Sequence, residues 1–374
     1  MTTQLFIPKF RVDECLEHVR ECLEKGWTGM GFKTVEIEDE WKKYTSLPHA
    51  HFLSSATAGL HLAFEVLKRA HNWSDGDEVI SASLTFVSTN HAIKYAGLEP
   101  IFADVDEYLC LDPQSIEEKI TDKTKAVVFV GLGGNTGQLE AVAKLCKERG
   151  LALVLDAAHM AGSRFDGKHV GYNADVTVFS YQAVKNMPTA DSGMICFQNP
   201  EYDALARKLT WLGINKDTYA RTAAQGAYKW KYDVEDLGFK YHGNSIMAGM
   251  ALVALKYLDN DNSYRRQLAK WYREELSECD DVKIVPIAQG CESSTHLLQI
   301  RVSNRDELLI KLNENDIYPG VHYTDNSEYK MYEKSGRCPK ALIASNEIIS
   351  LPMHMGITRH DVVNVVNMVK KYSK

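Results

Sequence analysis

No apolar run in the 374 residues reaches the roughly 18 that a membrane-spanning helix needs, so a helical membrane protein is not the expected class. The start, MTTQLFIPKFRVDE, lacks the apolar stretch of a secretion signal, and a cytoplasmic protein is expected. Charge of neither sign is concentrated: 43 Lys and Arg against 50 Asp and Glu leave a net charge of -7. Without a basic cluster, nothing seeks a phosphate backbone or an anionic membrane, and no nucleic-acid or membrane partner is expected. The eight cysteines include no CxxC pair and no recurrent spacing, which argues against a disulfide framework or a zinc ribbon. Repeats and low-complexity tracts are also missing.

What is there is a chain long enough for two domains. Apolar helical periods at 12–25 and 34–47 flank a loop, Trp27-Thr28-Gly29-Met30-Gly31, with glycines free to take positive φ. Strand-like runs then alternate with helices: HAHFLSS, a helix from Ser54, DEVIS, a helix from Thr85, PIFADVD, a short helix after Asp112-Pro113, and KAVVFV. That alternation predicts an α/β fold with a largely parallel sheet covered on both faces. His49 and His51 have no third ligand at metal spacing and read as the polar face of a strand, so no metal is assigned. The strand-to-turn run 127–137 invites a dinucleotide (NAD(P)) reading, but Thr136 stands where the third glycine is required, which disfavours it. Beyond residue 245, helices at 245–258, 264–279, 305–315 and 358–370 with strands near Val282 and at 296–302 read as a smaller α+β domain. The expected division is 1–245 and 246–374.

The stretch 151–197 organises the rest. One apolar strand ends in Asp156 and another in Ser180, with Lys185 in the loop just after it. If these are neighbouring strands, their carboxyl ends share one crevice. A desolvated lysine amine can form a Schiff base with an aldehyde, and an aspartate can keep a pyridine nitrogen protonated. Pyridoxal phosphate uses both. Ser54-Ser55-Ala56-Thr57-Ala58-Gly59 opens a helix whose free N–H groups form either an anion site or an ordinary N-cap.

The segments SSATAGLHLAF, GDEVISASLTFVSTNHAI, YAGLEPIFADVD, LDAAHMAGSRFDGKHVG and FSYQAVK resemble, in order, the blocks of the sugar aminotransferases named after DegT, DnrJ, EryC1 and StrS. The resemblance runs from Gly26 to Pro352. It implies the pyridoxal-phosphate fold type I: a large domain with a mostly parallel seven-stranded sheet flanked by helices, plus the smaller C-terminal domain. It implies pyridoxal 5'-phosphate as cofactor, with Lys185 catalytic, Asp156 on the ring nitrogen, His159 on the ring's 3′ oxygen where many members carry glutamine, and Phe86 stacked on the ring. Thr57, Ala58 and Ser180 would grip the phosphate. Trp27, Thr28, His322 and Tyr323 would lie near the substrate.

The implied reaction moves an amino group from L-glutamate to a C3 or C4 ketone of a UDP-, dTDP- or GDP-linked sugar, for cell-surface polysaccharides or amino sugars. Some relatives are dehydratases instead, but with histidine at the lysine position. The family also implies a homodimer with shared sites, and the aromatic segment 228–233 resembles the one before the dimer-crossing loop. Three departures stand out. Ala56 replaces a usual glycine, Ala190-Asp191-Ser192-Gly193 replaces Gly-Glu-Gly-Gly, and Lys240 and His242 stand where many members have asparagine and arginine, leaving Lys240 to meet the partner's cofactor phosphate as a cation.

Overall fold

The computed structural model describes residues 2–215 and 232–373, so the part of the aromatic segment at 228–231 lies outside the described residues. A seven-stranded sheet forms the centre, in the order His49–Leu53, Gly193–Phe197, Val176–Ser180, Ala152–Asp156, Thr124–Val130, Glu78–Ala82 and Glu99–Ala103. All neighbours run parallel except Gly193–Phe197, which is antiparallel to both of its partners.

The inner strands read as unbroken apolar runs because both faces are covered. Along Ala152–Asp156, Leu153 and Leu155 enter one core with Trp41, Phe129 and Phe179. Val154 points the other way, into a second core with Leu62, Phe64 and Val178. The period of two therefore serves two hydrophobic layers rather than one layer and solvent.

The antiparallel strand brings the chain back beside His49–Leu53, and there the polar-face reading of His51 gives way. His51 is buried, with Nδ1 2.9 Å from Glu38 Oε1 and Nε2 2.8 Å from Thr210 Oγ1. Glu38 also accepts from the Phe52 N–H and pairs with Arg207 at 3.0 Å. Burial alone would raise its pKa, but the hydrogen bond from His51 and the charges of His51 and Arg207 outweigh it and hold the carboxyl below its ordinary value. Removing one member of such a buried network strands the others in low dielectric. Glu38→Ala is expected to cost about 3–5 kcal/mol of stability at neutral pH, checked by denaturant titration. Because the folded pKa is depressed, the carboxylate's contribution exists above its unfolded pKa and fades as pH falls through the folded one.

The third core is built from Leu268, Tyr272, Leu298, Ile300, Ile349, Leu351, Val362 and Val366, in the C-terminal part of the chain. One helix of 32 residues, Ser245–Leu276, links it to the first core, to which Ala248, Ala251 and Leu258 belong. The sequence reading placed two helices here, broken at Asp259-Asn260-Asp261-Asn262. The helix continues because tertiary partners take up these break-prone side chains: Arg11 donates two bonds to Asp261, at 2.7 and 2.6 Å, and Asn262 Nδ2 donates to Ala161 O at 2.9 Å. Asn and Asp lose in helix interiors mainly by competing for local backbone groups, and here that competition is removed. No helix among the described residues is long and apolar enough to cross a membrane.

Candidate active site

A cavity of about 410 Å³ opens at the carboxyl ends of the strands, within the roughly 300–1,000 Å³ range of small-molecule sites. The parallel pairing of Asp156 with Val178 sets the register. Asp156, Ser180 and Lys185 therefore reach one cavity, together with Thr57, Phe86, His159, His322 and Tyr323.

Asp156 is buried. It accepts from Thr89 Oγ1 at 2.7 Å through Oδ2 and from the Ala158 N–H at 3.1 Å through Oδ1. Burial raises its pKa, against those two hydrogen bonds and the Lys185 charge. A carboxylate has four lone-pair sites, so Asp156 keeps acceptor capacity for a protonated ring nitrogen. Lys185 has its pKa drawn down to about 8 by burial, against the opposing pull of Asp156. Its loop is fixed on both sides. The Lys185 N–H donates to Gln182 O at 2.8 Å, and Asn186 Nδ2 donates to Asn262 Oδ1 and Ser294 O at 2.7 and 2.8 Å.

His159 is held neutral by burial and by the neighbouring Lys185 and His322. The Gly133 N–H donates to its Nδ1 at 3.2 Å, so Nε2 carries the proton and faces Tyr323 Oη at 3.1 Å. Phe86 precedes the helix Val87–Tyr95 and is 56% exposed although large and apolar, a ring left for a flat partner.

At one end of the cavity is the start of the helix Ala56–Ala70, where the family resemblance would put the cofactor phosphate. Ser55, Ala56, Thr57 and Ser180 line it. Ala58 does not, because Ser55 Oγ accepts from its N–H at 3.1 Å and caps the helix. The N-cap reading therefore holds at Ser55, and the anion-site reading is left with the amides of Ala56 and Thr57, residues that line the cavity. Ala56 is an ordinary helical residue without left-handed φ, so alanine suits a place where glycine is usual. Gly193 tolerates no such exchange: a Cβ there would stand 2.7 Å from Phe179 O and 2.9 Å from the Ala56 N. Gly193→Ala is expected to push the helix start aside, lowering affinity for pyridoxal phosphate about tenfold or more and destabilising the fold by about 1–3 kcal/mol, read by cofactor titration and thermal melting.

Besides Ala58, three of the sequence-derived positions do not line this cavity. Trp27 Nε1 donates to Met30 O at 2.8 Å, and Thr28 O accepts from the Ser245 N–H at 3.0 Å, so this loop seats the start of the long helix. Lys240 is exposed, its ammonium 3.4 Å from the centre of the Trp211 ring. Conversely, sequence reasoning passed over Phe6, Thr89, Gln182 and His296. Thr89 lies in the first turn of the helix Val87–Tyr95, and its hydroxyl meets that of Thr85, just ahead of the helix, at 3.1 Å. Phe6 and His296 left no signal in the sequence, because they arrive from opposite ends of the chain.

An acid for the ring nitrogen, an amine of lowered pKa, an exposed aromatic face and a helix start for the phosphate fit pyridoxal phosphate end to end. Comparisons with known proteins agree. The model of the DegT/DnrJ/EryC1/StrS aminotransferase family matches residues 11–370. An uncharacterized protein of Methanocaldococcus jannaschii is 31% identical, over 99% of this chain and 98% of its own. Among solved structures, the aminotransferase TlmJ from Streptoalloteichus hindustanus superposes with a TM-score of 0.91 at 32% identity, covering 99% of this chain and 98% of its own. The PLP-form of Spr1654 from Streptococcus pneumoniae gives 0.89 at 26%, covering 99% and 98%. A family match over nearly the whole chain and a cavity furnished for this cofactor lead to one conclusion: the chain belongs to the DegT/DnrJ/EryC1/StrS aminotransferase family and is a pyridoxal-phosphate-dependent aminotransferase.

Proposed function

We propose that the enzyme moves an amino group from L-glutamate to a C3 or C4 ketone of a nucleotide-linked sugar, as a cytoplasmic homodimer. The observation that carries the sugar reading is the cavity wall beside Lys185. His159, His296, His322, Tyr323, Gln182 and Ser88 line it, and among the described lining residues Lys185 is the single Lys or Arg. Neutral donors and acceptors suit an uncharged, hydroxyl-rich ring better than they suit a second anion. Glutamate as donor, the nucleotide and the dimer rest on the family resemblance.

When bound, the cofactor supplies an electron sink. The residues do the rest: Asp156 holds the proton on the ring nitrogen, and Lys185, once released, moves a proton between the substrate carbon and the cofactor as a general base and acid. Val184 and Tyr323 line the same cavity as Lys185.

The test is to reconstitute the protein with pyridoxal phosphate and follow its visible absorbance on adding L-glutamate, then to offer dTDP-, UDP- and GDP-linked keto sugars and analyse the products by mass spectrometry. Bleaching by glutamate followed by recovery with one keto sugar supports the proposal. An unchanged spectrum with glutamate sinks the donor assignment. Recovery only with keto acids sinks the sugar assignment.

A further inference from the structure

His296 lies just ahead of the strand Leu298–Arg301 and was not among the expected site residues, yet it is buried against the cavity that Lys185 also lines. Its ring stacks on Phe6 with centroids 5.2 Å apart and lies 4.4 Å from the ring of His159. Burial, His159, Lys185, Arg265 and His322 all disfavour its charged form, so it is a neutral imidazole.

Which nitrogen carries the proton is fixed by a chain of bonds that begins at a backbone carbonyl. A carbonyl oxygen only accepts, so Asn262 must present Nδ2 to Ala161 O, at 2.9 Å, and Oδ1 to its other neighbour. That neighbour is Asn186 Nδ2, at 2.7 Å, which also donates to Ser294 O at 2.8 Å. Asn186 Oδ1 is therefore the acceptor left for His296 Nδ1, at 3.0 Å, and Nδ1 carries the hydrogen. Nε2 is a bare lone pair, and no described residue hydrogen-bonds it. The adjacent His159 has the opposite tautomer, with its Nε2–H directed to Tyr323. The two adjacent rings, tilted 41° to each other, thus offer one donor and one acceptor.

We propose that His296 Nε2 accepts a hydrogen bond from a hydroxyl of the sugar substrate, and that Asn262 and Asn186 are positioning residues that hold it in the tautomer able to do so. This rests on the sugar reading above and makes His296 a specificity-determining residue. A buried acceptor of fixed tautomer discriminates strongly, because a substrate without the matching hydroxyl leaves it unpaired.

The experiment titrates enzyme loaded with pyridoxamine phosphate, so that no turnover follows, with UDP-glucose, dTDP-glucose and GDP-mannose. Any that binds is compared with its analogues fluorinated at each sugar hydroxyl in turn, in the wild type and in His296→Phe. A fluorine accepts but cannot donate. The expected result is that one analogue binds the wild type about 10- to 100-fold more weakly than its parent and that this penalty disappears in His296→Phe. Equal penalties in both proteins would overturn the proposal while leaving the sugar reading intact. If no nucleotide sugar binds, the sugar reading fails and the proposal with it. Nitrogen NMR of histidine-labelled wild type, which does not depend on the variant's folding, should show, among the buried neutral histidines with Nδ1 protonated, one with a cross-peak to the Asn186 side chain. A proton on Nε2 of that residue would equally overturn the proposal.

Discussion

Replacing Lys185 by alanine is expected to lower transamination by at least about 10³-fold, because one side chain is both the cofactor's anchor and the proton carrier, and general acid–base catalysis by a single group is worth roughly 10²–10⁴. Stability should change little, since Lys185 is half-buried in the cavity wall and forms no ion pair with any described residue. The lowered pKa adds a sign that can be checked. Below about pH 8 the amine is protonated and cannot attack an aldehyde; above it the free base dominates. Capture of pyridoxal phosphate by the apoenzyme should therefore accelerate as pH rises through about 8 and then level off, a stopped-flow measurement. Capture that levels off only near the pH at which a solvated lysine titrates would show that burial does not tune this amine.

Asp156→Asn is the second large effect, and it should separate activity from stability. The amide is nearly isosteric and still offers Oδ1, but it cannot hold a proton on the ring nitrogen, so turnover is expected to fall by about 10³-fold. The apoenzyme should be no less stable, and more stable at neutral pH. A carboxylate whose folded pKa is raised by burial opposes folding wherever it is ionised, so its removal relieves that penalty above the folded pKa and gains nothing once pH falls below the unfolded one. Melting the apoenzyme at neutral and at strongly acidic pH, next to a single-turnover assay with glutamate, reads both halves. A variant that loses activity and stability together would make Asp156 a packing residue. Stability given up at a working site for chemistry is a common pattern in enzymes.

The order of strands and helices, the apolar runs and the two key residues were legible because each rests on neighbours in the sequence. Leu153, Val154 and Leu155 announce a strand buried on both faces whatever else is present. Ser55 announces a helix start, and capping is decided within four residues. The same local rules misread 259–262, where Arg11, some 250 residues away, and Ala161 take the polar side chains and keep the helix whole. They also misplaced His51, whose partners come from the helix Phe32–Thr45 and from Thr210.

By itself, then, the sequence determined the α/β alternation, the pairing of Asp156 with Lys185 in one crevice and, through its motifs, the cofactor and family. Only the tertiary structure decided that Trp27 and Thr28 stand away from this cavity, that Thr89 supports Asp156, and that Phe6 and His296 complete the wall. The physical reason is the range of the interactions. Periodicity and capping act over a few residues, whereas the proton on His296 is placed by Asn186, Asn262 and the Ala161 carbonyl, which only folding brings within hydrogen-bond distance.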